Sequence, residues 1–173
     1  MLITLVVANQ KGGVGKTTTA LNLAASLSAA SRKVLLVDLD SQGNSTTGIG
    51  KEKREETGSL IDVLVKNDGL LKLVIEETRY KFDLIPASSD LISAEIELSP
   101  LKNPTAILRS KLQQVASKYD YIVIDCPPSL GMLSVSALRA ASKVLIPLQC
   151  EYYSLEGLAA MNKTIKEINE ATG

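Results

Sequence analysis

Short apolar runs alternate with stretches of helical spacing along the whole chain. The runs at residues 2–8, 33–37, 82–86, 121–125 and 143–148 are nearly all apolar, without strict alternation. That is the pattern of parallel strands covered on both faces. Between them the spacing predicts helices over residues 16–30, 59–65, 90–98, 104–117, 134–140 and 154–171. In the last of these, Leu155, Leu158, Ile165 and Ile168 recur on one face. The order predicts an α/β fold, a mostly parallel sheet with helices on both faces and right-handed connections. Residues 48–58, with Lys51-Glu52-Lys53-Arg54-Glu55-Glu56 at the centre, read as a solvated loop or helix start, or as a partner surface.

Composition narrows the picture. A length of 173 residues with 45% hydrophobic positions suits one domain with a full core. Lys+Arg and Asp+Glu are both 19, so no global charge attracts nucleic acid or anionic lipid, although a local basic patch stays open. Aromatic residues are 3% with no tryptophan, which does not supply a stacking platform for bases. Histidine is absent, removing histidine catalysis and most zinc sites. Cys126 and Cys150 read as buried thiols of a reducing compartment. No apolar stretch approaches the roughly 18 residues of a membrane span. The first run reads as a strand and not a signal peptide, because Gln10-Lys11 interrupts it.

The sharpest chemistry lies in Lys11-Gly12-Gly13-Val14-Gly15-Lys16-Thr17-Thr18, between the first strand and the first helix. Glycines let the backbone curl around phosphate, and the N–H groups of the loop and helix start supply donors. Lys16 suits the β- and γ-phosphates, and the Thr17 hydroxyl suits Mg²⁺. Lys11 is extra. It can stay solvated, fold back onto its own nucleotide, or reach a second nucleotide across a dimer.

Two strands end in carboxylates. Val34-Leu35-Leu36-Val37-Asp38-Leu39-Asp40 places Asp38 and Asp40 at the ligand-binding edge, on one face if the extension continues. Gln42-Gly43-Asn44-Ser45-Thr46-Thr47 then reads as a polar hinge able to sense a γ-phosphate, or as a simple turn. Tyr121-Ile122-Val123-Ile124-Asp125-Cys126-Pro127-Pro128 has the Walker B arrangement, with Asp125 holding Mg²⁺ through water. Asp40 is the candidate to orient an attacking water and to face the metal. No arginine lies close to these motifs, so Lys11 is the candidate to do an arginine finger's work.

Taken together, the strings resemble the ParA/MinD ATPases with a deviant Walker A motif, and most closely the ParA/Soj partitioning branch. The likeness rests on residues 8–19, on Asp38-Leu39-Asp40-Ser41-Gln42-Gly43-Asn44, on Asp125-Cys126-Pro127-Pro128-Ser129-Leu130-Gly131, and on the segment 147–157 that includes Tyr152 and Tyr153. It implies a P-loop NTPase fold that binds ATP or ADP with Mg²⁺ and forms a nucleotide sandwich dimer. It implies that Lys11 contacts the partner's phosphates and that Asp40 is needed for hydrolysis. It further implies non-specific DNA binding, stimulation by a ParB/Spo0J-type partner, no membrane attachment, and a cytoplasmic, nucleoid-associated location.

The resemblance also marks departures. Ser41 stands where the family commonly has proline, which loosens the loop without removing charge. Family members run considerably longer, so residues 1–173 are expected to be one ATPase domain lacking its C-terminal portion. The missing part would carry some of the adenine pocket and the DNA-binding basic residues, leaving DNA binding weak or absent here. From the residues alone, an end after the final helix fits either a complete chain or a shortened one. Two other readings remain open, a non-catalytic nucleotide-binding module and a metabolic P-loop enzyme of the dethiobiotin synthetase kind. The string 38–44 argues against the last.

Overall fold

Among the described residues, the five apolar runs and a short charged segment not expected as a strand, Glu76–Glu77, pair into one sheet of six strands in the order β3-β4-β2-β5-β1-β6. The strands are β1 Ile3–Val7, β2 Val34–Asp38, β3 Glu76–Glu77, β4 Asp83–Ile85, β5 Tyr121–Asp125 and β6 Lys143–Leu145. The computed structural model describes residues 2–53, 58–66, 71–151 and 154–172. Arg54, Glu55 and Glu56 of the charged run, Tyr152, Tyr153 and Gly173 lie outside the described residues. All described pairings are parallel except that of the edge strand β3 with β4. The expectation of a mostly parallel α/β sheet therefore holds. The fifth expected strand is shorter than its apolar run, ending at Leu145. Pro147, two residues later, lacks the N–H a continued ladder needs.

Side chains of the strands divide by alternation between two cores. Val6, Leu35, Val37, Ile85, Ile122 and Ile124 face one layer, and Val7, Val34, Leu36, Leu84 and Val123 face the other. The second layer is built mainly by α1 (Lys16–Ala29), which buries Lys16, Ala20, Ala24 and Ser28. Of these, Ala20, Ala24 and Ser28 are small residues at four-residue spacing that let the helix lie close to the sheet. The larger layer holds α3 (Leu60–Val65), α4 (Ala94–Leu98), α5 (Pro104–Gln113), α6 (Met132–Ala140) and α7 (Ser154–Thr172). In α7 the buried anchor is Met161, 1% exposed, whereas Leu155 of the expected apolar face is 65% exposed. Cys126 is buried as expected, but Cys150 is exposed, because it lies beyond the end of β6 and not within a strand.

Beyond β2, the polar segment expected as a hinge forms a short helix, α2 (Asn44–Gly48). Gly43 precedes it with φ of 66°, and Asp38 fixes it. Asp38 Oδ2 accepts from the Thr46 N–H at 2.8 Å and the Thr46 hydroxyl at 2.7 Å. Thr46 Oγ1 in turn accepts from the Ala87 N–H at 2.9 Å, tying this turn to the chain after β4. Burial pushes the Asp38 carboxyl up to about 6, the Thr46 bonds oppose that, and the neighbouring Asp125 carboxylate adds to it.

Two consequences can be measured. Ala24→Leu should force α1 off the sheet and cost about 1–3 kcal/mol in denaturant unfolding; an unchanged midpoint would contradict the close packing. Asp38 has an ordinary value of 3.8 when unfolded and about 6 when folded. Between those values the native state keeps a proton that the unfolded chain releases, so this contribution to stability falls as pH rises through the window. In metal-free buffer, the stability of Asp38→Asn relative to the native chain should therefore improve from about pH 4 to about pH 7. A pH-independent difference would contradict the raised value.

Candidate functional site

The site is set by register. Val7 and Asp38 are both aligned with Asp125, because β5 lies between β1 and β2. The glycine loop after β1 and the two carboxylate-bearing strand ends therefore meet at one edge of the sheet. Gly13 and Gly15 have φ of 73° and 89°, a left-handed backbone that disfavours any side chain. A Cβ placed on Gly12, Gly13 or Gly15 would meet nothing within 4 Å. These glycines thus hold a space open above the loop and are not there to let protein pack.

Around that space the donors converge. Gly15 caps α1 without a side-chain hydrogen bond, so the first-turn N–H groups at Lys16, Thr17 and Thr18 face the open side with the positive end of the helix dipole. Val14 is 8% exposed and anchors the loop. Lys16 is also 8% exposed, and its Nζ donates to the Lys11 carbonyl at 3.0 Å, folding the ammonium back over the loop. Such a concave group of amides and one cation is suited to a polyphosphate.

Opposite stands Asp125, 1% exposed. Its Oδ2 accepts from the Ser45 hydroxyl at 2.7 Å. Its Oδ1 is buried without a hydrogen-bond partner among the described residues, although the Thr17 hydroxyl comes near enough to favour the charged form. Burial holds this carboxyl above its ordinary range, with Asp40 adding to the rise, while Ser45, Thr17 and Lys16 pull it down. A buried carboxylate oxygen lacking a partner, with a hydroxyl beside it, fits a hard divalent cation such as Mg²⁺. Among the described residues no three histidine, cysteine or carboxylate side chains form a metal site by themselves. A cation here would need oxygens from a ligand. Cys126, next in sequence, has its thiol pushed up by burial and supplies no nucleophile.

Asp40 does not share a face with Asp38. The strand ends at Asp38, and the Asp40 N–H turns back to Asp38 Oδ1 at 3.2 Å. Asp40 Oδ1 accepts from the Gln42 N–H at 3.0 Å and its carbonyl from the Gly43 N–H at 2.8 Å, a tight turn at the rim. The turn separates a buried structural carboxylate, Asp38, from a partly exposed one, Asp40. Asp40 still lies within electrostatic reach of Asp125.

Lys11 forms an ion pair with Glu151, and both side chains are more than a third exposed. The segment after β6 is strapped to the loop beside this pair. Asn9 Nδ2 donates to the Pro147 carbonyl at 2.8 Å, and Gln149 Nε2 to the Gly13 carbonyl at 3.3 Å. Ser45, Asn9, Gln149 and Glu151 were not singled out by sequence reasoning. Their only signal was polarity inside the strings 8–19, 38–47 and 147–157.

No helix among the described residues is long and apolar enough to cross a membrane. Residues 3–173 match the AAA_31 family, an AAA domain. The chain is 49% identical over 167 residues to the chromosome partitioning protein ParA of Myxococcus xanthus, covering 96% of this chain and 59% of that protein. It is 46% identical over 166 residues to the sporulation initiation inhibitor protein Soj of Bacillus subtilis, covering 96% of this chain and 66% of that one. It thus spans three fifths to two thirds of these relatives' length. A solved structure of cobyrinic acid a,c-diamide synthase from Mycobacterium smegmatis, with bound ADP and magnesium, superposes with a TM-score of 0.93 at 38% identity, over 100% of this chain and 70% of that one. With the phosphate-loop geometry, the paired strand ends and these likenesses in agreement, the chain belongs to the AAA_31 family and, within it, to the ParA/Soj group of partitioning proteins.

Proposed function

We propose that this chain is the nucleotide-binding domain of an ATP-hydrolysing switch for chromosome or plasmid partitioning. The observation that carries the reading is the buried Asp125 Oδ1, unpartnered among the described residues, on a carboxylate beside Thr17 at the sheet edge where the uncapped glycine loop begins. In it, the amides of Gly12, Gly13, Val14, Gly15, Lys16, Thr17 and Thr18 hold the phosphates of ATP or ADP, and the Lys16 ammonium neutralises their charge. Thr17, Asp125 and Asp40 would hold Mg²⁺. When bound, Mg²⁺ supplies charge neutralisation on the β- and γ-phosphates. Asp40, on its turn at the rim, orients the attacking water.

Lys11 acts from a partner copy in a nucleotide sandwich dimer. Its exposed pairing with Glu151 within one chain must break for that reach, and an exposed pair is worth only about 0–1 kcal/mol. The switch works in the cytoplasm at the nucleoid, through non-specific DNA contacts that the longer relatives' remaining length would strengthen. A ParB/Spo0J-type protein accelerates its turnover.

A second reading, an ATP-dependent amide synthase, is favoured by the Mycobacterium smegmatis neighbour. Identity is 38% there against 49% and 46% for the partitioning relatives, which supports the first. Lys16→Ala should weaken ATP binding by about thirtyfold or more in calorimetry. Asp40→Ala should keep binding and slow phosphate release by about a hundredfold or more. Tight ATP binding by Lys16→Ala would contradict the cradle, and an unchanged rate in Asp40→Ala would move the water-orienting role elsewhere. Bound ATP with no turnover in the native chain, with or without DNA and a ParB-type protein, would favour a non-catalytic interaction module.

A further inference from the structure

A second concavity lies behind the carboxylates. It encloses about 250 Å³ and is lined by Leu39 and Ser41 from the chain after β2, Pro127 and Ser129 from the chain after β5, and Leu91 and Ile92 from the segment leading into α4. Leu39 and Ser41 flank Asp40, and Pro127 is two residues beyond Asp125. Anything seated here touches both segments that carry the site's carboxylates.

Ile92 and Glu95 line it, and the segment that carries them continues as an apolar and acidic surface beside it. Ile92 and Ile96 are 76% and 79% exposed, more than any other large hydrophobic among the described residues. They are four residues apart and lie on one side of a helical segment. From Ser88 to Leu101 the sequence has the carboxylates of Asp90, Glu95 and Glu97 and no lysine or arginine. Glu95 accepts the Met132 N–H at 2.9 Å, holding the start of α6, and Glu97 accepts the Ser93 hydroxyl. Neither has a cationic partner among the described residues. Lys53 approaches from the Ser41 side, where its ammonium donates to the Ser41 carbonyl at 3.3 Å.

We infer that this surface docks a short segment of a partner protein that presents an aliphatic side chain to the cavity and a flanking lysine or arginine to Glu95 and Glu97. Charge complementarity selects that occupant. A second copy in a two-fold contact would bring the same acidic segment against itself. Docking would press on the turn that holds Asp40, which links partner contact to hydrolysis. The inference rests on the partitioning reading for the identity of the partner.

The test uses the 173-residue chain and the purified ParB-type protein of the same genome, with binding read by biolayer interferometry and turnover by phosphate release. Ile92→Ser with Ile96→Ser should bind the partner about tenfold or more weakly and lose stimulation in parallel, with basal turnover unchanged. Ile92→Leu with Ile96→Leu should retain binding. Glu97→Lys should weaken binding and Glu97→Gln should weaken it less. Equal partner affinity in the native chain and the serine variant would overturn the docking surface while leaving the partitioning reading intact. A change in sedimentation of the serine variant alone would make the surface a contact between copies and would also overturn it. A partner that fails to bind the native chain would sink the partner reading itself, and this inference with it.

Discussion

Two carboxylates end adjacent parallel strands at the same level of the sheet, and the rest of the site is organised around keeping them there. Asp38 and Asp125 are register partners, 0% and 1% exposed. Charge at such depth is costly unless hydrogen bonds or cations compensate it. The compensation differs between the two. Asp38 is satisfied from within by Thr46 and the Asp40 amide, and so becomes a structural post for the turn. Asp125 is satisfied on one oxygen only, by Ser45. That asymmetry separates a carboxylate that shapes the site from one that is left to receive a ligand.

The same constraint explains the layers. The strand ends are aligned by the parallel register, and the sheet is covered by α1 on one face, close through Ala20 and Ala24, and by the larger helical layer on the other. The helix that packs the sheet is also the helix whose first turn faces the open loop, so packing and ligand recognition use one element. Besides its own bonds to Gln42 and Gly43, the turn at Asp40 is tied by a chain of bonds from Asp38 through the Thr46 hydroxyl to Ala87.

Most of this was legible in the sequence because it depends on local pattern. The run 121–125 appears as a strand with the expected bounds, and the glycine loop falls between strand and helix as its spacing requires. What was not legible depends on contacts distant in the chain. The polar segment 44–48 has weak helix propensity, and it coils because a buried Asp38 holds Thr46. Ser45 acquires its place only when β5 inserts between β1 and β2. The pairing of Lys11 with Glu151 spans 140 residues, so no spacing rule reaches it. Leu155 was expected on a buried face, yet the buried anchor of α7 is Met161, since the helix meets the core further along its length.

The central claim is that one nucleotide and one metal ion join the glycine loop to Asp125. The most direct measurement is a crystal structure of the chain with a non-hydrolysable ATP analogue and Mg²⁺. The account predicts phosphates over Gly12 to Thr17 and a metal between the Thr17 hydroxyl and Asp125 Oδ1, at no more than one bridging water. A metal bound elsewhere, or loop amides turned away from the phosphates, would contradict it.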